Sequence, residues 1–304
     1  MSIYRSLQAK ESLDEKTERL LTKLPVSGKE HVVETANGIG FCLELGDPNK
    51  PKLLVIHGGY TNHAFTLYYL RSLVSRFHIF ALDLPGHPGK SSEAILDPRD
   101  DSYGHWAISM LRAVGLDSCY FLGVSYGAFV CQRIIALEPS FASRLVLIVP
   151  AGICAMDQWS LVKHLLMPRL LFGLTGNQRF FHHIVNHLFT DTEVDIVDFF
   201  RDVLLHIKTD SRPMKISLES EMSNFKKPVL LITADNDVVF DPTKLANQAS
   251  KLFGDLTVLN LKASKHSPSF KKDERTRVCN KIVEFLEEKE SIESTTEAKR
   301  SNTQ

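Results

Sequence analysis

Residues 120–129 read YFLGVSYGAF, with Ser125 midway between Gly123 and Gly127. The serine directly follows the apolar run CYFLGV and directly precedes YGAFVCQRIIALEP, a helical stretch that Pro139 ends. A strand-to-helix turn is therefore expected at Ser125. Such a turn crowds the positions two before and two after the serine, which accounts for both glycines, and it exposes the hydroxyl above the sheet. The plainer alternative is a small residue where a strand bends. A serine hydroxyl is a poor nucleophile at neutral pH and needs a base, normally a histidine oriented by a carboxylate. Twelve histidines compete for that role. In a parallel sheet the groups able to meet Ser125 are those just past the C-terminal ends of strands. His266 meets this condition after LTVLNL and the loop KASK, and Asp235 and Asp237 meet it in TADNDVVF after PVLLIT. Together these residues could carry acyl transfer.

The elements that must position them follow from the hydrophobic pattern. KLLVIH (52–57), FHIFALD (77–83), CYFLGV (119–124) and RLVLIV (144–149) are continuous apolar runs, as in strands buried on both faces of a parallel sheet. The segments 64–76, 102–116 and 126–138 between them have helical length and pattern, so strand and helix alternate and the fold class is α/β. Ahead of them, a helix is expected from about Ile3 to Leu24, ended by Pro25, and then an antiparallel hairpin, HVVETA and IGFCLEL, turned at Asn37-Gly38. After Pro150 the strand rhythm stops, and 151–215 reads as amphipathic helices. Sheet pattern returns at PVLLIT (228–233) and LTVLNL (256–261), followed by a helix over about 275–288 and a polar tail, 289–304, expected to be disordered.

Five motifs, HGGYT (57–61), DLPGHPGKSS (83–92), GVSYGAF (123–129), TADNDVV (233–239) and SKHSP (264–268), together resemble the α/β-hydrolase superfamily across residues 30–288. The resemblance implies a mostly parallel sheet flanked by helices, with an all-helical cap inserted after the sixth strand. The chain then divides into an N-terminal helix (1–29), a core (30–150 and 216–288) and a cap (151–215). It further implies Ser125 as nucleophile and His266 as base. The acid of such proteins stands three residues after a small residue, here Ala234, which favours Asp237 over Asp235. His57-Gly58-Gly59-Tyr60 maps onto the oxyanion loop, with the backbone amides of Gly59 and Tyr126 as donors and Tyr60 as a register alternative. Substrate-contacting positions are expected at Tyr60, Leu165, Phe172 and Val239. The phrase DNDVVFDP together with the helical cap is similar to a branch of bacterial carboxylesterases. Serine at 125 argues against epoxide hydrolases and haloalkane dehalogenases, which carry aspartate there, and Tyr60 replaces the proline of HGGPG in proline-specific aminopeptidases. The implied activity is hydrolysis of small to medium apolar esters without a cofactor. Its rivals are a receptor-like binding member of the fold, and a lipase that rests its cap on a membrane surface.

Two motifs lead elsewhere. GHPGKS resembles the end of a phosphate-binding loop, but the required glycine is replaced by Leu84, so nucleotide binding is rejected. As the superfamily loop it carries one extra residue, Pro88, and Asp83 reads as a structural loop residue. His183 and His187 in HHIVNH lie four apart and could share a helix face, yet the glutamate of H-E-x-x-H is missing, so no metal is expected there.

Composition narrows the partners. Hydrophobic residues are 43% and charged residues 24%, enough for a large core without staples. Lys plus Arg and Asp plus Glu each total 36, and no basic stripe stands out, so nucleic acid is not an expected partner. The five scattered cysteines include no C-x-x-C pair, which fits a reducing cytoplasm. The charged N-terminus lacks the apolar stretch of a signal peptide. The most apolar window, 161–174, is broken by Lys163, His164, Pro168 and Arg169, so no stable membrane insertion is expected.

Overall fold

Asn37-Gly38 closes a hairpin, with Gly38 at φ 95°, in the computed structural model, which describes residues 2–210 and 212–288. The expectation for 289–304 lies outside the described residues. Helix α1 (Leu7–Leu21) precedes the hairpin strands β1 (Lys29–Thr35) and β2 (Gly38–Leu45). Then come β3 (Lys52–Ile56), α2 (His63–Leu70), β4 (His78–Asp83), α3 (Ser102–Ala113), β5 (Cys119–Val124), α4 (Tyr126–Leu137) and β6 (Ala142–Ile148). The described residues that follow hold no strand until β7 (Val229–Ala234); they form α5 (Gln158–Leu161), a π-helical turn (Val162–Leu166), α6 (Met167–Thr175), α7 (Gln178–Leu188), α8 (Val194–His206) and α9 (Glu219–Met222). The chain closes with α10 (Pro242–Leu252), β8 (Leu256–Leu261) and α11 (Lys272–Glu287).

The eight strands form one sheet in the order β1-β2-β4-β3-β5-β6-β7-β8, antiparallel as far as β4 and parallel from there on. The apolar runs explain this layout. β4 and β7 are buried at every position and β3 at all but Lys52, as strands covered by helices on both faces must be, whereas edge strand β1 alternates between exposed and half-buried. Phe121, Leu122, Ile134, Leu147 and Leu231 are sealed from solvent in the core, each side chain contributing about 1.5–3 kcal/mol of burial free energy.

Parallel strands bring their C-terminal ends to one rim, and backbone strain gathers there. Among the described residues, the non-glycine positions at positive φ are Tyr60, Ser125, Val149 and Ala263, which follow β3, β5, β6 and β8. Left-handed backbone costs a side-chain-bearing residue of order 1–3 kcal/mol and persists where the surroundings enforce it, typically at functional sites.

The first helix starts at Leu7, capped by Ser6 Oγ, later than the pattern suggested. The residues ahead of it are committed elsewhere: the Arg5 N–H donates to the His206 carbonyl (2.9 Å), and the Lys208 N–H donates to the Ile3 carbonyl (2.8 Å). Ser12 Oγ donates to Asp202 on α8 (2.6 Å), and Thr17 accepts from Asn62 at the start of α2 (2.7 Å). The N-terminal segment thus clasps the end of the helical insertion to the body. All five cysteines are free, and no described helix is long and apolar enough to cross a membrane.

Candidate active site

Ser125 sits at φ 48°, ψ −107° between β5 and α4, held by its N–H donating to the Ile148 carbonyl (2.9 Å). Side chains two positions either side are impossible. A Cβ on Gly127 would lie 2.2 Å from the Ile56 carbonyl oxygen, and one on Gly123 would lie 2.5 Å from Ala128 Cα. Helix α4 therefore rests directly on β3 and β5, and the hydroxyl stands at the rim.

Ser125 Oγ lies 3.1 Å from His266 Nε2, and His266 Nδ1 lies 2.9 Å from Asp237 Oδ2. A carboxylate can only accept, so Nδ1 carries the proton and the Nε2 lone pair faces the hydroxyl. The buried Asp237 is fixed in turn by the N–H groups of Val239 (2.7 Å) and Phe240 (3.2 Å), both donating to Oδ1. Asp235, the other carboxylate that the sequence offered, accepts from Asn260 instead. The histidine loop is tied to the insertion: the Ser267 N–H donates to the Leu188 carbonyl (2.7 Å), and the Thr190 N–H donates to the Ser267 carbonyl (3.0 Å).

Asp83 is occupied otherwise. Fully buried, it accepts from the His63 backbone N–H (2.8 Å), His63 Nδ1 (2.8 Å) and the Lys90 N–H (2.9 Å). Burial alone would raise its pKa, but the adjacent His63 and these donors outweigh burial and hold it down at about 2. The residue braces the loop around Lys90, as its structural reading anticipated.

Gly59 and Tyr126 are neighbours across the rim: a Cβ on Gly59 would touch Tyr126 Cβ at 3.5 Å. Among the described residues neither backbone N–H donates to a backbone carbonyl outside regular helix or strand, and Tyr126, as the first residue of α4, has no acceptor within the helix. Two free donors therefore adjoin Ser125. The loop carrying Gly59 is pinned by the buried His57, whose Nδ1 donates to the Gly58 carbonyl (2.7 Å) and whose Nε2 accepts from the Leu84 N–H (2.9 Å). Burial pushes the His57 pKa below its ordinary value, keeping the ring in the neutral form that can donate and accept at once. Sequence reasoning read His57 only as part of a motif and missed this tie. Tyr60, at φ 57°, donates its hydroxyl to the Asp210 carbonyl (2.8 Å).

A cavity of about 370 Å³ opens over Ser125 and His266. Its walls come from the body (Tyr60, Phe65, Tyr69, Val239, Phe270) and from the insertion (Leu161, Leu165, Leu166, Phe200, Val203), and most of them are apolar. Three of the four expected substrate contacts, Tyr60, Leu165 and Val239, line it. The fourth does not. Phe172 is buried against Phe181 of α7 (ring centroids 5.5 Å apart), because the hairpin of α6 and α7 needs an apolar seam of its own. Phe65, Tyr69 and Phe270 were missed, since only the packed sheet shows which aromatic residues turn toward the rim.

A larger open groove of about 900 Å³, on another face of the insertion, includes Trp159, Lys163, Arg179 and Phe180 but none of the Ser-His-Asp residues. At its edge His183 and His187 share a face of α7, as their spacing allows, and His164 from the π-helical turn joins them. His164 Nδ1 lies 3.4 Å from His183 Nε2. Sequence spacing held no signal for His164, whose approach depends on the helical hairpin.

The sequence between residues 53 and 276 matches the model of the alpha/beta hydrolase family. With this sheet and this strand-to-helix serine turn, the chain belongs to that family. More particularly, it is 20% identical over 276 residues to the uncharacterized carboxylesterase nap of Bacillus subtilis, covering 88% of this chain and 89% of the relative. It is 21% identical to the carboxylesterase YbfK of the same organism, over 88% of this chain and 90% of the relative. The crystal structure of naproxen esterase from Bacillus subtilis superposes with a TM-score of 0.80, covering 92% of this chain and 99% of that one at 17% identity, a likeness of fold.

Proposed function

We propose that this chain hydrolyses carboxylic esters of small to medium apolar substrates through an acyl-enzyme. His266 takes the proton as Ser125 Oγ attacks the ester carbonyl, and Asp237 fixes the imidazole tautomer and stabilises its positive charge. The N–H groups of Gly59 and Tyr126 receive the oxyanion, where losing one fixed donor typically costs about 3–4 kcal/mol of transition-state stabilisation. The alcohol leaves with the proton from His266, and a water deprotonated by the same ring releases the acid. In this reading 151–215 is a cap that keeps bulk water from the acyl chain, and the body comprises 30–150 and 216–288. No cofactor is needed, and the free cysteines accord with a reducing compartment.

The observation that carries the reading is the hydrogen-bonded series Ser125–His266–Asp237 at the wall of an apolar cavity. A fluorophosphonate probe should label the wild type and not Ser125→Ala, and the variant should lose at least about 1,000-fold in ester turnover. Labelling that persists in Ser125→Ala would overturn the assignment. Absence of labelling in the folded wild type would favour a receptor-like role. The carboxylesterase relatives support the ester class.

One observation favours a second reading, a lipase working at a membrane surface. Trp159 (86% exposed), Leu170 (56%) and Leu174 (74%) lie on the same helical run whose Leu161 and Leu165 line the cavity. Turnover that rises sharply on vesicles compared with dissolved short-chain esters would select it.

A further inference from the structure

We propose that His164, His183 and His187 form a binding site for a single zinc-class transition-metal ion that ties the π-helical turn to α7. One ring nitrogen from each residue lies within 4.8 Å of the other two, and all three side chains are half-buried. Four ligands around zinc at about 2.0–2.1 Å stand about 3.3 Å apart, close to the 3.4 Å already separating His164 Nδ1 from His183 Nε2. The ligand nitrogen of His187 lies within 4.8 Å of the other two, so an approach of about 1.5 Å at most closes the set.

The third ligand is also prepared. His187 Nδ1 donates to the His183 carbonyl (2.7 Å), the bond by which metal-binding histidines usually fix their tautomer, and this leaves the Nε2 lone pair free. The three rings are already gathered, with the His164 and His187 centroids 4.1 Å apart and the His183 and His187 centroids 4.2 Å apart. The local backbone is unusual as well: His164 is presented by a π-helical turn, a feature that occurs often at functional sites. Three imidazoles and no oxygen donor suit zinc, nickel or copper rather than magnesium or calcium. The fourth position falls to water.

The ion would hold the π-helical turn against α7 rather than take part in ester hydrolysis, since Ser125, His266 and Asp237 stand outside the cluster. Its effect would nonetheless reach the cavity. The π-helical turn also carries Leu165 and Leu166, and α7 ends at Leu188, which with Thr190 just beyond it holds the backbone of Ser267. This site assignment does not depend on the proposed ester hydrolysis.

The test is equilibrium dialysis of the metal-stripped full chain against zinc, with metal analysis and thermal melting as readouts. The wild type and His182→Ala, which alters an exposed neighbouring histidine outside the cluster, should take up one ion per chain and melt at a higher temperature with zinc. Magnesium should do neither. His164→Ala, with an unchanged circular dichroism spectrum, should bind at least about 100-fold more weakly and lose the shift in melting temperature, while His164→Cys should restore binding through its thiolate. Should His164→Ala fail to fold, the same loss is required of His187→Ala. Saturable zinc uptake that survives loss of either histidine, or a wild type that binds no more zinc than His164→Ala, would overturn the proposal.

Discussion

At the scale of single residues, the candidate site depends on the proton position that Asp237 dictates. With an amide in its place, the side chain can present N–H to His266 Nδ1 and stabilise the other tautomer, whose Nε2–H cannot accept from Ser125. Asp237→Asn should therefore leave the fold intact and lower turnover by about 10⁴-fold. Normal turnover in the folded variant would remove Asp237 from the mechanism. Ser125 and His266 were readable because each follows an apolar run at a strand end. Phe172 was misread because an apolar residue in a helical hairpin can serve either the cavity or the hairpin seam, and its partner Phe181 is identified only by tertiary contact.

Among the elements, the closeness of α4 to β3 and β5 decides whether the serine turn forms. Gly127→Ala would drive a methyl to 2.2 Å from the Ile56 carbonyl oxygen, and backbone cannot yield as a flexible side chain can. We expect the variant to lose at least about 1–3 kcal/mol of stability and most of its probe labelling. Denaturant melts that superpose on the wild type would contradict this account of the turn. The strands were legible because burial on both faces demands unbroken apolar runs, and the helical insertion was legible as the place where such runs stop. The extended start at Ile3 to Arg5 was not. Its pairing lies with residues near 207, and no local pattern announces a partner so distant. The same limit hid His164 and the grip of Leu188 and Thr190 on the histidine loop.

For the molecule as a whole, stability should carry the signature of Asp83, whose pKa is lowered from 3.8 to about 2 on folding. A depressed carboxylate stabilises the fold fully above its unfolded pKa, and that contribution drains away as pH falls through the window from about 4 to about 2. Asp83→Asn should be less stable than the wild type near neutrality, by about 3–5 kcal/mol if the buried partners are left unmatched, and should lose less on acidification across that window. Denaturant titrations at several pH values measure both effects, and parallel pH curves for the two proteins would refute the linkage. A last consequence comes from the clasp between residues 3–5 and 206–208. Loss of residues 3–5 would take those anchors from the end of the insertion while leaving the sheet and the serine turn in place, so under the proposed ester hydrolysis a trimmed chain should still accept the probe at Ser125 but discriminate less among esters of different bulk.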